Sequence, residues 1–179
     1  GEVIVDISRD FLNTNGVTQN AEALISAPKT KPLYFENSDT NGLGLKERLL
    51  ANLSKLNVCS QKGLSERFDS TIGRGTVLMA FGGKYQHTPP AVMAAKIPLE
   101  HGQTDTATLM SYGFIPELSK WSPFHGAVFA VIQSLSRITA AGGDWSKARL
   151  TFQEYFERLG DKPERWGKPA SALLGALYA

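Results

Sequence analysis

Residues 121–144 read WSPFHGAVFAVIQSLSRITAAGGD, and this stretch decides how the rest of the chain can fold. Apolar side chains recur in it at helical spacing and form one stripe. The members of the stripe are Val128, Val131, Ile132, Leu135 and Ile138. Pro123 favours a helix start just after Ser122, and Gly142 with Gly143 favours a left-handed end. We therefore predict a helix from roughly Gly126 to Ala141 whose stripe packs against a core.

The opposite side of this predicted helix carries a polar pair. Gln133 and Arg137 lie four residues apart, which makes them neighbours on adjacent turns. Such a pair faces either water or a binding site. Long polar side chains on helices are usually solvated, and that favours water.

Further segments show the alternation of strands or the spacing of helices. The predicted strands are Val3–Ile7, Thr76–Met79, Ala91–Pro98, Thr104–Tyr112 and Arg149–Phe152. The other predicted helices are Lys46–Leu56, a short one within Gln61–Phe68, and Ala170–Ala179 after a polar loop at 157–169. Strands alternating with helices through glycine-rich joints indicate the α/β (α+β) class, a mixed sheet covered by helices.

A change in composition divides the chain into two predicted units. From Ser26 to Gly44 the sequence turns to Pro, Lys, Thr, Asn, Asp and Gly, which is typical of a connector. The units are therefore residues 1–45 and 46–179. The first residue is Gly1 and the last helix has no capping signal, so we expect an internal piece of a longer polypeptide.

The composition excludes several classes of protein. The 179 residues carry a net charge of +2 with both signs dispersed, so we expect no nucleic-acid partner. We expect no membrane span and no secretory leader, because no run of eighteen apolar residues occurs and the start is strand-like. The expected location is the cytoplasm. Cys59 is the single cysteine, which excludes an internal disulfide.

The usual motifs of catalysis and metal binding fail when they are tested. Gly82-Gly83-Lys84 lacks the earlier glycine and the following Ser or Thr of a phosphate loop. His87, His101 and His125 lack the spacing of zinc ligands. No Gly-x-Ser-x-Gly elbow occurs. The residues alone therefore predict neither a catalytic group nor a metal site.

Several long motifs resemble one enzyme family. Residues 57–77 read NVCSQKGLSERFDSTIGRGTV, and later stretches read WSPFHGAVFAV, LTFQEYFERLG and RWGKPASALLGAL. These are similar to formylglycinamidine ribonucleotide synthetase (phosphoribosylformylglycinamidine synthase) in its long single-chain form, and the resemblance covers most of residues 57–179. It implies that 46–179 is the front of a synthetase-like N-type domain, incomplete at its end. Residues 1–45 would then be the tail of a preceding C-type domain and a linker.

The resemblance also implies an activity. The family is a ligase of de novo purine biosynthesis that forms a carbon–nitrogen bond with glutamine as the amide donor and consumes ATP. It converts formylglycinamide ribonucleotide to formylglycinamidine ribonucleotide. This chain would supply an auxiliary half-site for ATP or ADP and an interdomain wall, and it would be inactive alone. Its expected partners are the remaining domains of the synthetase and the nucleotide, and a homo-oligomer is also open.

The site residues follow from the resemblance. Lys62 falls where the family places a lysine near the auxiliary nucleotide. Lys84, Gln133 and Arg137 stand where the family offers magnesium ligands, so the resemblance implies that Mg²⁺ is lost here and that cationic side chains replace its charge. Gln153 and Glu154 match polar residues at a strand end near the ligand. The alternative is a purely structural docking module whose degenerate pocket is empty.

Overall fold

The computed structural model describes residues 1–14, 20–30, 42–68, 75–89 and 91–179. The helices are α1 (Arg9–Thr14), α2 (Leu45–Leu53), α3 (Lys62–Ser65), α4 (Pro116–Trp121), α5 (Pro123–Ala140) and α6 (Pro163–Tyr178), with a 3-10 turn at Trp145–Lys147. The strands are β1 (Thr76–Leu78), β2 (Val92–Lys96) and β3 (Ala107–Ser111). Most of the predicted connector, residues 31–41, lies outside the described part, as do residues 69–74 of the motif at 57–77.

The three strands form an antiparallel sheet in the order β1-β2-β3. The β2–β3 ladder runs from Val92 opposite Ser111 to Lys96 opposite Ala107, and β1 joins β2 with an irregular register. Helices pack on this sheet, with α5 against β3. The α+β class is confirmed. The predicted mixed sheet would need parallel pairing, and the described strands pair only antiparallel.

Helix α5 confirms the prediction made from its stripe and its caps. Ser122 is the N-cap, and its hydroxyl oxygen accepts a 3.3 Å hydrogen bond from the His125 amide. Beyond the other end of the helix, Gly142 has a φ of 89°, which suits a glycine. Val131 is 5% exposed and belongs to the core. The stripe is only partly buried, because Ile132 remains exposed.

Two predicted strands do not form. Residues 3–7 and 149–152 alternate as strands do, but neither joins a ladder. A strand needs a neighbour for its backbone hydrogen bonds, and these segments meet none among the described residues. Their large apolar side chains, such as Ile4 and Phe152, are exposed.

Helix α6 begins seven residues before its predicted start at Ala170. Pro163 occupies its first turn, and Pro169 lies inside it, within the predicted polar loop. A proline inside a helix removes one backbone hydrogen bond, and the predicted polar loop at 157–169 ended at this residue. Packing compensates, because α6 buries Gly167, Ser171 and Gly175 along one side and contacts α5.

The core is small for a chain of this length. Among the described residues, the buried hydrophobic side chains are Ala94, Leu118 and Val131, and each keeps 5–7% of its surface exposed. The accessible surface is 14868 Å². A compact monomer of this 19.5 kDa mass exposes roughly 8,500 Å². Many large apolar side chains of the described part are exposed, Ile4, Leu56 and Tyr155 among them. None of the described helices is long and apolar enough to cross a membrane.

Candidate functional site

Two of the predicted site residues, Gln133 and Arg137, form hydrogen bonds to main-chain atoms. The Gln133 side-chain oxygen accepts a 2.9 Å hydrogen bond from the Phe114 amide. The Arg137 guanidinium donates a 2.6 Å bond to the Tyr112 carbonyl and lies 4.6 Å from the centroid of the Tyr112 ring. The polar pair on α5 thus hydrogen-bonds to the backbone of residues 112–114, just after β3 ends. Both side chains are half-buried, and each is hydrogen-bonded to the main chain.

A serine and a glycine bring α5 and the end of β3 close together. The Ser111 hydroxyl donates a 2.8 Å bond to the Ser134 carbonyl. At Gly113 a Cβ atom would overlap the Ala130 carbonyl, so the helix backbone touches the strand exit where no side chain intervenes. We call Gln133, Ser134 and Arg137 the α5 clamp.

The clamp retains some capacity for a ligand. A guanidinium has five N–H donors, and the bond to Tyr112 uses one of them. The Gln133 oxygen, which could have met a metal, is already hydrogen-bonded. Within the described ranges no group of three or more His, Cys, Asp or Glu side chains could hold a metal ion. The donor set of the clamp therefore suits an anion better than Mg²⁺.

The two predicted lysines make local contacts. Lys62 begins α3 and forms an ion pair of 3.5 Å with Glu66 one turn later. Lys84 lies 5.3 Å from the centroid of the Tyr85 ring, in a turn closed by a 2.7 Å bond from the Phe81 amide to the Thr88 carbonyl. In the described part, no hydrogen bond or ion pair joins either lysine to the α5 clamp.

Gln153 and Glu154 are exposed and belong to no strand. They were predicted as site residues because a strand was expected to end there, and that strand is absent. Of the six predicted site residues, only Gln133 and Arg137 hydrogen-bond to the same backbone segment, residues 112–114.

Sequence reasoning missed an apolar hollow of about 390 Å³ on the sheet. Methionines and an aromatic ring line much of it: Met79, Met93, Met110 and Tyr112. Met93 pairs with Met110 across β2 and β3. Tyr112 also lines the hollow, and the Arg137 guanidinium lies over its ring. The alternation of β3 could have indicated this face, because Met110 and Tyr112 are two residues apart.

A second, more polar hollow of about 390 Å³ lies at the other end of the sheet, with Lys96 and Thr104 in its wall. Lys96 donates a 2.9 Å hydrogen bond to Asp105. This bond, together with the attraction of the two charges, holds the pKa of Asp105 below its ordinary value. Asp105 already pairs with the Lys96 ammonium, so Lys96 is not a free cation for an anionic ligand in this hollow.

Comparison with family models, with curated proteins and with solved structures gave no match.

Proposed function

We propose that the chain is part of a formylglycinamidine ribonucleotide synthetase, the glutamine-dependent, ATP-consuming ligase of purine biosynthesis. The proposal is supported by the motifs at 57–77 and from 121 to 177 that resemble this family. In it, residues 46–179 form the front of an N-type domain and residues 1–45 the tail of a C-type domain with a linker. The proposed location is the cytoplasm. The chain is inactive alone, because none of its motifs supplies a nucleophile and base.

The exposed apolar surface supports the proposal that the chain forms a wall between domains. The 14868 Å² of accessible surface far exceeds the roughly 8,500 Å² of a compact monomer of this mass. Many large apolar side chains of the described part are exposed, Ile4, Leu56 and Tyr155 among them, and exposed apolar patches mark surfaces that pack against something else. The strand-like segments 3–7 and 149–152 support the same view, because each lacks a described ladder partner that another domain could provide.

The auxiliary nucleotide half-site is the second part of the proposal. Its groups are Lys62, Lys84, Gln133, Arg137, Gln153 and Glu154. Arg137 keeps donors beyond the one bound to Tyr112, and a guanidinium is well suited to phosphate. Lys84 is exposed and forms no ion pair in the described part. In this proposal Lys84 and Arg137 supply the positive charge that Mg²⁺ provides in the family.

A specific observation favours the alternative, a docking module with an empty pocket. Gln133 and Arg137 hold the chain after β3, and Lys62 is paired with Glu66. Side chains already committed to protein partners have less to offer a ligand. In this alternative the chain still belongs to the synthetase, but its polar residues stabilise the fold only.

Calorimetric titration with ADP, in the presence and absence of Mg²⁺, separates the two functions. The half-site predicts binding that persists without Mg²⁺ and weakens about tenfold in Lys84→Ala, where a phosphate contact is lost. Lys55→Ala, which removes an exposed lysine just after α2, is the matched control and should bind as the wild type does. Absence of heat with ADP supports the docking module. Binding that requires Mg²⁺, is lost in Glu154→Ala and survives Lys84→Ala refutes the replacement of the metal.

A further inference from the structure

Residues 20–30, from the predicted N-terminal unit, lie against helix α6. The Leu24 amide donates a 2.9 Å hydrogen bond to the Pro163 carbonyl at the start of the helix. One turn later, a Cβ atom at Gly167 would overlap the Leu24 carbonyl, so the two backbones touch where the helix has no side chain. We call residues 20–30 the strap. Its main chain lies directly on the first part of α6.

A second contact holds the far end of the strap. The indole N–H of Trp121 donates a 2.8 Å hydrogen bond to the Thr30 carbonyl. Trp121 is the last residue of α4 and is half-buried. The strap therefore joins the start of α6 to the end of α4, and both helices belong to the predicted second unit.

The strap is held by its main chain. Its two hydrogen bonds use the Leu24 amide and the Thr30 carbonyl, which are available because the strap forms neither helix nor strand. Residues 21–27 are all exposed, with Leu24 and Ile25 at 54% and 46%. In peptide recognition, main-chain hydrogen bonds supply affinity and side-chain pockets supply specificity. The strap makes contacts of the first kind, and its exposed side chains add little of the second.

We propose that Pro163, Gly167 and Trp121 line a groove that holds a peptide segment by its backbone, and that the strap is its occupant. Two hydrogen bonds on a largely exposed segment make a weak attachment, so the strap leaves the groove while α5 and α6 stay packed. The inference goes beyond the proposed function and does not depend on it, because it concerns how the N-terminal segment is attached to the helices.

The tryptophan indole protons of the full chain report whether the strap is seated. Trp121 donates its indole proton to the strap, whereas Trp166 donates its own to the Gly160 carbonyl. Hydrogen exchange followed by NMR should show the Trp121 indole proton exchanging more slowly than that of Trp145, which is 60% exposed. This measurement needs no variant and therefore no assumption about the folding of one.

Two substitutions at a single strap position test recognition of the backbone. Leu24→Pro removes the amide and should speed exchange of the Trp121 indole proton about fivefold, the effect of one lost hydrogen bond. Leu24→Ala keeps the amide and shortens only an exposed side chain, so its Trp121 proton should exchange as in the wild type. Trp166 should exchange at one rate in all three proteins, because its bond to Gly160 does not involve the strap.

Gly167→Ala tests the groove from the side of the helix. Its new Cβ would overlap the Leu24 carbonyl, so the strap should be displaced and Trp121 exchange should accelerate. Gly63→Ala is the control, because nothing lies within 4 Å of a Cβ at that position. Circular dichroism verifies that the helices of both variants are folded.

A synthetic peptide with the sequence of residues 20–30 tests whether the groove accepts a separate chain. The peptide is added to the Leu24→Pro protein at about millimolar concentration, the effective concentration of a tethered segment, and should slow Trp121 exchange again. A peptide that also carries Leu24→Ala and Ile25→Ala should act equally well. A wild-type Trp121 proton that exchanges as fast as that of Trp145, equal acceleration in Leu24→Pro and Leu24→Ala, or peptides without effect would each overturn the proposal.

Discussion

The Arg137 guanidinium holds Tyr112 in two ways, through a 2.6 Å hydrogen bond to its carbonyl and through stacking 4.6 Å from its ring centroid. The first contact fixes the backbone after β3, and the second fixes a side chain at the rim of the apolar hollow. A single α5 residue thus joins helix packing to the shape of the sheet surface. The contact with the ring requires the planar guanidinium that arginine provides.

Replacement of Arg137 should therefore destabilise the fold. Arg137→Ala is expected to lower the free energy of unfolding by about 1–2 kcal/mol, the combined effect of one charge-assisted hydrogen bond and one partly exposed cation–π contact. Arg137→Lys should recover only part of this, since an ammonium lacks the planar stacking surface. Urea unfolding provides the measurement. Lys120→Ala, at an exposed position of α4, is the control, and an equal loss in both Ala variants would contradict the role of Arg137.

Gly113 should tolerate no side chain. In Gly113→Ala the new Cβ would overlap the Ala130 carbonyl, so either α5 or the strand exit must move. We expect a loss of about 2–4 kcal/mol, typical of overpacking where backbone approaches backbone. Gly63→Ala is the matched control, because nothing lies within 4 Å of a Cβ at that position in α3. Thermal unfolding should show Gly63→Ala unchanged or slightly stabilised. A Gly113→Ala protein as stable as the wild type would refute the close approach.

The N-cap of α5 provides a smaller, well-defined effect. Ser122 is 4% exposed, accepts the His125 amide at 3.3 Å and lies 2.8 Å from the His125 Nδ1 atom. Ser122→Ala should cost about 1 kcal/mol, because the half-buried His125 amide loses its acceptor. Ser136→Ala, at an exposed position of the same helix, should cost nothing measurable or stabilise slightly. Chemical denaturation of the two variants side by side decides the matter, and equal stabilities would rule out the cap.

Local patterns in the sequence predicted the elements whose causes are local. Helix α5 has its stripe, its serine cap and its terminal glycines within one stretch, and the structure confirms it. The strands at 76–79, 91–98 and 104–112 were also found, with shorter limits. The predicted strands at 3–7 and 149–152 were wrong. An alternating sequence shows that a segment suits a sheet, but a strand forms only if another strand lies beside it.

The candidate site was harder to predict for a related reason. Spacing placed Gln133 and Arg137 on one side of α5, and the structure agrees. What that side faces depends on which distant segment crosses it, and helical periodicity carries no such information. Gly113 was a signal that could have been used, because a glycine just after a predicted strand often marks a close backbone approach. The nucleotide assignments came from resemblance alone and remain predictions.

The Lys168–Glu157 ion pair should make stability depend on pH. Lys168 of α6 donates a hydrogen bond to Glu157, and this bond is the main reason that the pKa of Glu157 lies below its ordinary value. A carboxyl whose pKa is lowered by folding stabilises the protein above its unfolded pKa. That contribution is lost as the pH falls through the folded pKa. The stability difference between the wild type and Lys168→Met should therefore be largest near neutral pH and vanish in acid.

Carboxyl chemical shifts measured by NMR across an acid titration test this directly. The Glu157 midpoint should rise towards its ordinary value in Lys168→Met, because the main donor is removed. Lys162→Met removes another exposed lysine just before α6 and should leave the midpoint where it is. The pair is exposed and open to salt, so the difference between the wild type and Lys168→Met should shrink at high ionic strength. An unchanged Glu157 midpoint in Lys168→Met would mean that the pair does not persist in solution and that segment 149–157 is not tied to α6 by this contact.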